Sequence, residues 1–151
     1  MPSFTAEDVR LENWTDALYL TDHPGAQAAK AALEAHFLAE WNDDIDATMA
    51  TMDPVAPFQR IPALGVDISG VAAVRAFYLE RFAKWPGPAM TRFDRVTVSP
   101  AAILVEGHLN AAEGSAVAAL AGPAVIVVDV RDGLILGETV HAALQSPAPR
   151  A

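Results

Sequence analysis

The sequence predicts an α+β protein in which three to four helices precede a curved β-sheet. Apolar residues recur at helical spacing in the first half of the chain, whereas the second half reads as extended runs rich in β-branched residues. The last two runs flank Asp132-Gly133, and an Asp-Gly pair between apolar runs is the strongest short-range signal for a two-residue hairpin turn. Helices followed by an antiparallel or mixed sheet predict a layered fold in which the sheet wraps over the helices.

Two helices are predicted near the start of the chain. Thr5 and Asp8 resemble a capping box, and they open a first helix that ends near Asp22, with apolar positions at Val9, Leu11, Trp14 and Leu18. His23-Pro24-Gly25 breaks that helix. A second helix runs from about Ala26 to Trp41, since apolar residues follow one face at Ala29, Leu33, Phe37 and Trp41.

Two further helices follow. Asp44 is placed to cap a short helix from Ile45 to Met52. After an irregular stretch containing several prolines, Ser69 is expected to cap a longer helix whose broad apolar face ends at Trp85. Pro86-Gly87-Pro88 ends it sharply.

Short extended runs make up the predicted sheet. A possible edge strand covers residues 55–61, and longer strands cover about 90–99 and 103–111, with a weaker one at 115–120. The final hairpin spans residues 124–144. We expect one domain over residues 1–145 and a flexible tail at 146–151.

Composition excludes several classes of function. The formal net charge is −9 and the ten Lys plus Arg are not clustered, which argues against nucleic-acid binding. The N-terminal residues lack the pattern of a signal peptide, and the most apolar run is too short to cross a bilayer. The chain has no cysteine, so a cytoplasmic protein with neither disulfide nor thiolate chemistry is expected.

Three segments in this order carry a family resemblance: WNDDIDATMATMD (41–53), GVAAVRAFYLERF (70–82) and VVDVRDGLILGETV (127–140). Together they resemble the SnoaL-like branch of the nuclear transport factor 2-like superfamily. That resemblance implies a cone, in which a curved sheet encloses a pocket against the helices. It also implies a homodimer packed through the outer face of the sheet, and a small hydrophobic ligand. No cofactor is expected.

The resemblance implies acid/base chemistry, because members of the superfamily include polyketide cyclases, ketosteroid isomerases, dehydratases and epoxide hydrolases. Their shared device is an ionisable side chain in an apolar pocket, where desolvation moves its pKa toward the working pH. Cyclase-type members commonly end the last strand with an aromatic-aromatic-Asp sequence. Here the corresponding residues are His141-Ala142-Ala143, so that carboxylate is absent. Asp129 and Arg131 are predicted to face away from the apolar side of the hairpin.

His141 is the first candidate for a catalytic residue. An unbroken hairpin pairs Ala124 with His141 and places His141 on the apolar face with Ile126 and Ile135. A neutral imidazole there could relay a proton, although a core or interface histidine bonded to a carbonyl fits the pattern equally well. Gly137 leaves a further alternative, since a bulge there would turn His141 to the other face.

Glu106 and His108 share one face of a predicted strand, where they are either exposed to solvent or part of the pocket wall. In the pocket, the carboxylate would raise the basicity of the imidazole, so His108 is a second catalytic candidate and Glu106 a substrate-binding one. Asp53 is a third catalytic candidate at the pocket edge, or a turn residue before Pro54. Arg60 is expected to clamp an oxyanion, or else to form a surface salt bridge.

Aromatic residues could wall the pocket or simply fill the core, and we expect a few of them to touch a ligand: Trp14, Tyr19, Trp41, Phe58, Tyr78 and Trp85. Among these, Tyr19, Trp41, Phe58 and Tyr78 are the substrate-binding candidates. The four histidines are too scattered to predict a metal site, and His36 is expected to be partly exposed.

Two functional hypotheses follow from the sequence. In the first, the protein is an isomerase, cyclase or dehydratase that acts on a hydrophobic substrate through His141 and His108. In the second, it is a non-catalytic ligand-binding or dimerisation module on the same fold.

Overall fold

The computed structural model describes residues 3–110 and 118–144, apart from the side chain of Thr91. Within these residues, a curved seven-stranded sheet packs against three α-helices. The helices are α1 (Pro24–Trp41), α2 (Ile45–Ala50) and α3 (Val71–Lys84). The strands are β1 (Leu18–Leu20), β2 (Phe58–Ile61), β3 (Val66–Ser69), β4 (Met90–Val98), β5 (Ala102–Leu109), β6 (Gly122–Arg131) and β7 (Leu134–Ala142).

The sheet is mixed. Its strand order is β1-β4-β5-β6-β7-β2-β3. Strands β4 to β7 form an antiparallel meander, whereas β1 runs parallel to β4 and β2 runs parallel to β7. Long side chains from the inner face of the meander and from α1 form one continuous core. The predicted α+β fold, with helices against a curved sheet, is confirmed.

Local sequence explains where the helices begin. Pro24 occupies the first turn of α1, and Nδ1 of His23 caps that turn by accepting a hydrogen bond from the Gly25 amide at 3.0 Å. Asp44 caps α2 as predicted, through the Ala47 amide at 3.0 Å. The cap predicted for α3 is wrong. Gly70 occupies that position with φ of 94°, and it has no side chain that could cap the helix.

The predicted first helix is also wrong. Thr5 and Asp8 do make capping contacts of 2.7 Å, but they close an isolated turn. The chain continues through a single 3-10 turn at Leu11–Asn13 and then enters β1. The apolar residues that suggested a helix instead reach the core from the 3-10 turn, from β1 and from the chain beside them: Val9 and Leu11 are buried, and Trp14 and Leu18 are partly buried.

The remaining strands differ from their predictions in two places. β2 is not an edge strand, because it lies between β7 and the unpredicted strand β3. The weak strand predicted at 115–120 falls partly outside the described residues, and Ala118–Leu120 is a 3-10 turn. The predicted tail at 146–151 is likewise outside them.

The final hairpin turns at Asp132-Gly133 as predicted, with φ of 52° and 76°. Beyond the first pairs the register shifts. Val130 pairs with Ile135, but Asp129 pairs with Gly137, so Leu136 is an extra residue that forms a β-bulge. Residues of β7 after the bulge therefore face the side opposite to the one expected from an unbroken hairpin.

None of the helices in the described residues combines the length and apolar content needed to cross a membrane.

Candidate active site

A cavity of about 320 Å³ lies between the concave face of the sheet, α1 and α3. Its wall is mainly apolar and includes Phe37, Trp41, Phe77, Phe93, Leu109 and Ile126. Glu80 and Lys84 also line it, and because both are exposed on α3 they mark the side on which the cavity approaches the surface. A concave, mostly apolar cavity of this size is typical of a small-molecule site.

The floor of the cavity is polar and buried. Glu40 and Arg81 come from α1 and α3, and Gln59 and Glu138 come from the paired strands β2 and β7. His36 lies one helical turn before Glu40 and is fully buried behind the floor. Charged groups are rarely buried unless they are paired, and each charged group of this cluster lies 3.1–3.6 Å from another.

Glu138 presents a carboxylate oxygen to the cavity. Its Oε2 accepts a hydrogen bond of 3.0 Å from Nε2 of Gln59, which also donates to the hydroxyl of Tyr78 at 2.7 Å. Its Oε1 makes no hydrogen bond with any described residue, yet this atom is not sealed inside the protein. Gln59 therefore fixes the carboxylate and leaves one oxygen open.

The hydrogen bonds of His36 show that its Nδ1 carries a proton. The hydroxyl of Thr51 donates to the carbonyl of Thr48 at 2.6 Å, so its oxygen is left to accept a hydrogen bond. Nδ1 of His36 lies 2.7 Å from that oxygen and must be the donor. Nε2 then faces the hydroxyl of Tyr78 at 3.2 Å. Thr51 thus holds the ring so that Nε2 points toward the floor of the cavity.

Glu40 and Arg81 form the second half of the cluster. NH2 of Arg81 lies 3.1 Å from Oε1 of Glu40 and donates to the carbonyl of Gly87 at 2.7 Å. NH1 lies 3.8 Å from Asp43. Oε2 of Glu40 lies 3.4 Å from Nε2 of His36, and neither this oxygen nor NH1 of Arg81 completes a hydrogen bond within the described residues.

Burial and charge shift the pKa values of this cluster in different directions. Burial, reinforced by the nearby Glu40 carboxylate, raises the pKa of Glu138 above its usual range. Burial also acts to raise the pKa of Glu40, but the Arg81 and His36 charges outweigh it and lower that pKa. For His36, burial acts to lower the pKa, and Glu40 and Glu138 reverse the effect and raise it. Of the two carboxyl groups, Glu138 is therefore the one whose pKa lies closer to neutral pH.

Three of these groups could share a cation. The donor atoms of His36, Glu40 and Glu138 all lie within 4.8 Å of one another. The spacing of the histidines alone predicted no metal site, but this cluster combines one histidine with two carboxylates, one of which is distant in the sequence. Arg81, at 3.1 Å from Glu40, supplies a positive charge in the same place, so the carboxylates already have a cationic partner.

The predicted orientation of His141 is wrong. Because of the bulge at Leu136, His141 pairs with Val125 and is exposed, whereas Glu138 pairs with Val128 on the inner face. His141 borders a second, more open concavity at the end of the sheet, which also includes Glu106. The structure thus contains the β-bulge of the alternative prediction, which turns His141 to the other face of the hairpin.

His108 and Glu106 lie on the outer face of β5, as in the exposed alternative. Glu106 pairs with Arg95 through two contacts, the longer of them 3.1 Å. His108 lies 2.6 Å from NH2 of Arg92 and 3.8 Å from Asp94. The two residues do not line the inner cavity.

Of the two roles predicted for each residue, Asp53 takes that of a turn residue and Arg60 that of a surface salt bridge. Oδ1 of Asp53 accepts a hydrogen bond from the Val55 amide at 3.0 Å, and its other oxygen lies 3.5 Å from Arg131. Arg60 is about half exposed, pairs with Asp67 at 3.2 Å and lies over the ring of Phe58. Neither residue lines the cavity.

The aromatic candidates divide into two groups. Trp41 and Tyr78 line the cavity, as does Trp85. Tyr19 is 57% exposed on β1, and Phe58 packs against Gly137, so the structure does not bring these two to the cavity.

Sequence reasoning missed most of the polar floor. His36 was expected to be partly exposed but is fully buried. A usable signal was present, because His36 and Glu40 are four residues apart on the helix face that also carries Leu33 and Phe37. Glu138 could be found only by placing the bulge correctly.

This architecture defines a class of protein. A mixed sheet curved over three helices, with a cavity between the sheet and α1 and α3, is the cone of the nuclear transport factor 2-like fold.

Solved structures support this assignment. A nuclear transport factor 2-like protein from Mesorhizobium loti is 15% identical, with a TM-score of 0.61 over 83% of this chain and 98% of that one. One from Burkholderia xenovorans is 23% identical, with a TM-score of 0.57 over 82% and 88%. Both are described as having unknown function.

A third similar structure, from Kribbella flavida, carries the provisional name ketosteroid isomerase. It is 17% identical, with a TM-score of 0.57 over 83% of this chain and 85% of that one. No family model and no curated protein matches the sequence. At these identities the structures establish the fold, and the resemblance seen in the sequence is confirmed at that level.

Proposed function

We propose that this protein is an acid/base enzyme of isomerase, cyclase or dehydratase type, acting on a small hydrophobic molecule in the inner cavity. The observation that carries the proposal is the open Oε1 of Glu138, a buried carboxyl group with a raised pKa in an apolar cavity. The cyclase and isomerase names carried by some similar structures are in keeping with it.

Glu138 is the proton-transfer group in this proposal. Its carboxylate takes a proton from the substrate, becomes a neutral acid, and returns the proton at another position, so that the enzyme ends unchanged. A raised pKa favours both halves of this cycle because it brings the group nearer to working pH. The buried setting also strengthens its electrostatic interaction with the reacting atoms.

Gln59, Tyr78 and His36 are positioning residues. Gln59 holds Oε2 of Glu138, and Tyr78 holds Gln59 through its hydroxyl. His36 lies 3.6 Å from Oε1 of Glu138 and supports the ionised carboxylate when the imidazole is protonated. These contacts limit the carboxylate to a narrow range of orientations.

The catalytic roles predicted from the sequence for His141, His108 and Asp53 stay predictions, and this proposal gives the proton transfer to Glu138 instead. The homodimer packed through the outer face of the sheet is part of the proposal, as is the cytoplasmic location. Analytical ultracentrifugation tests the homodimer directly, and a protein that sediments as a monomer would refute it.

The test is turnover of ketosteroids, epoxides and polyketide-like aromatic compounds by the wild-type protein and by Glu138→Gln. We expect a substrate from this panel to be converted, and the Gln variant to lose about 100-fold or more in kcat, as is usual for a missing general base. Glu7→Gln is the matched control, because Glu7 is exposed and does not line the cavity. Circular dichroism checks that both variants are folded.

An unchanged kcat in folded Glu138→Gln would contradict the role of this residue. Ligand binding without conversion of any compound in the panel would instead favour the non-catalytic module.

A further inference from the structure

We propose that the ligand of the inner cavity is a neutral, mostly apolar molecule that carries a hydroxyl group, and that this hydroxyl donates a hydrogen bond to Oε1 of Glu138. The inference rests on the proposed function because the same carboxylate serves both. It goes further in assigning the charge, the polar group and the orientation of the bound molecule.

The accessible oxygens of the floor favour a hydrogen-bond donor on the ligand, since the donors without a partner, NH1 of Arg81 and Nε1 of Trp85, are sealed inside the protein. Oε1 of Glu138 makes no hydrogen bond within the described residues although the side chain is only 8% exposed. Among the described residues no donor reaches the carbonyl oxygen of Gln59 either, and the amide nitrogen makes both bonds of this side chain. Neither oxygen is sealed inside the protein, so a ligand in the cavity can reach Oε1, and a ligand that donates to it gains a charge-assisted hydrogen bond that a purely apolar ligand lacks.

The charges of the floor favour a neutral ligand. Two carboxylates, Glu40 and Glu138, face two basic groups, with Arg81 at 3.1 Å from Glu40 and His36 at 3.6 Å from Glu138. An anionic ligand would place a charge beside two carboxylates. A cationic ligand would place a charge beside Arg81 and the imidazole, whose positive charges already offset those of the two carboxylates although Oε1 of Glu138 accepts no hydrogen bond from the described residues.

The rest of the cavity selects an apolar body. Phe37, Trp41 and Phe93 form one side of the wall with stacked and tilted rings. A flat hydrocarbon skeleton buries its faces against such rings at little entropic cost. The hydroxyl is then placed at the floor and the hydrocarbon skeleton against the aromatic wall.

Four matched probes test this assignment by isothermal titration calorimetry: naphthylethanol, ethylnaphthalene, naphthylethylamine and naphthylacetate. They share a ring system and differ in carrying a hydroxyl, a methyl, an ammonium or a carboxylate group. We expect naphthylethanol to bind about tenfold or more tightly than ethylnaphthalene, the gain for one hydrogen bond to a charged acceptor. Equal affinity of these two probes, or no binding of any probe, would overturn the proposal.

The charged probes give separate outcomes. We expect naphthylacetate and naphthylethylamine to bind more weakly than naphthylethanol. Tightest binding of the acid would mean that Arg81 selects the ligand, and tightest binding of the amine would mean that the carboxylates act as a cation site. Either result would overturn the assignment of a neutral ligand.

Glu138→Gln tests the contact itself. An amide is a weaker acceptor than a carboxylate, so the preference for naphthylethanol over ethylnaphthalene should shrink several-fold while ethylnaphthalene binds as before. Glu7→Gln should keep the full preference. A preference that survives in folded Glu138→Gln would show that another group receives the hydroxyl. Since binding is measured without turnover, a retained hydroxyl preference together with no conversion of any substrate would refute the proposed enzyme and leave this inference standing.

Discussion

Replacing Gly137 with alanine should lower the free energy of unfolding by about 2–3 kcal/mol, in the upper half of the range for overpacking. A Cβ atom added at Gly137 would overlap Cγ of Phe58 and lie 2.5 Å from the backbone oxygen of Phe58. Real Cβ atoms do not approach other heavy atoms so closely. The substitution therefore forces β2 or β7 to move.

The two parts of the overlap differ in how easily they are relieved. The ring of Phe58 is only partly buried and can swing toward solvent. The oxygen belongs to the backbone at the point where Phe58 pairs with Gly137, so it moves only if the two strands separate. Because Gln59 and Glu138 form the next pair, any separation also disturbs the floor of the cavity.

Urea denaturation followed by circular dichroism measures the loss, and thermal unfolding should show a decrease of roughly 4–12 °C. Phe58→Ala and the double variant complete a mutant cycle. Removing the ring should restore only part of the stability lost in Gly137→Ala, because the backbone overlap remains. A wild-type urea midpoint for Gly137→Ala would refute the close packing of β2 against the bulged strand.

Three further predictions concern the buried cluster and a helix cap. Tyr78→Phe removes the hydroxyl that accepts a hydrogen bond from the buried Gln59 amide, and it should cost about 1–3 kcal/mol in urea denaturation. Tyr19→Phe, at an exposed position, should cost almost nothing, and equal effects would contradict the assignment. The imidazole of His36 should titrate above the usual pKa of 6.5 in an NMR experiment, since its neighbouring carboxylates favour the charged form. Its stabilising contribution is then complete below pH 6.5 and is lost as the pH rises through the raised pKa, and a midpoint below 6.5 would contradict this. Asp44→Ala should cost about 0.5–2 kcal/mol by removing the cap of α2, which thermal unfolding can measure.

The sequence predicted those parts of the fold that depend on local periodicity. The buried stripe of α1, the Asp44 cap and the Asp132-Gly133 turn all appear where they were expected. The predicted first helix failed because apolar residues that belong to a 3-10 turn, to β1 and to the chain around them recur at helical spacing. Strand β3 was missed since its four residues carry too short a pattern to recognise.

The candidate site was harder to predict because it depends on register. One extra residue, Leu136, decides whether Glu138 or His141 faces inward. The sequence offers Gly137 as a warning of a bulge but does not say where the extra residue lies. Tyr78 and Trp41 were found because large aromatic residues on buried helix faces tend to reach the interior of a small domain.

The buried cluster also has a consequence for how the protein is made. His36 and Glu40 belong to the first helix, whereas their partner Glu138 lies about a hundred residues later, on the last strand. During synthesis, α1 therefore emerges before Arg81 of α3 can pair with Glu40 and before the final hairpin can bring Glu138 to His36. The polar floor of the cavity is therefore complete only when β7, the last strand of the described chain, has joined the sheet.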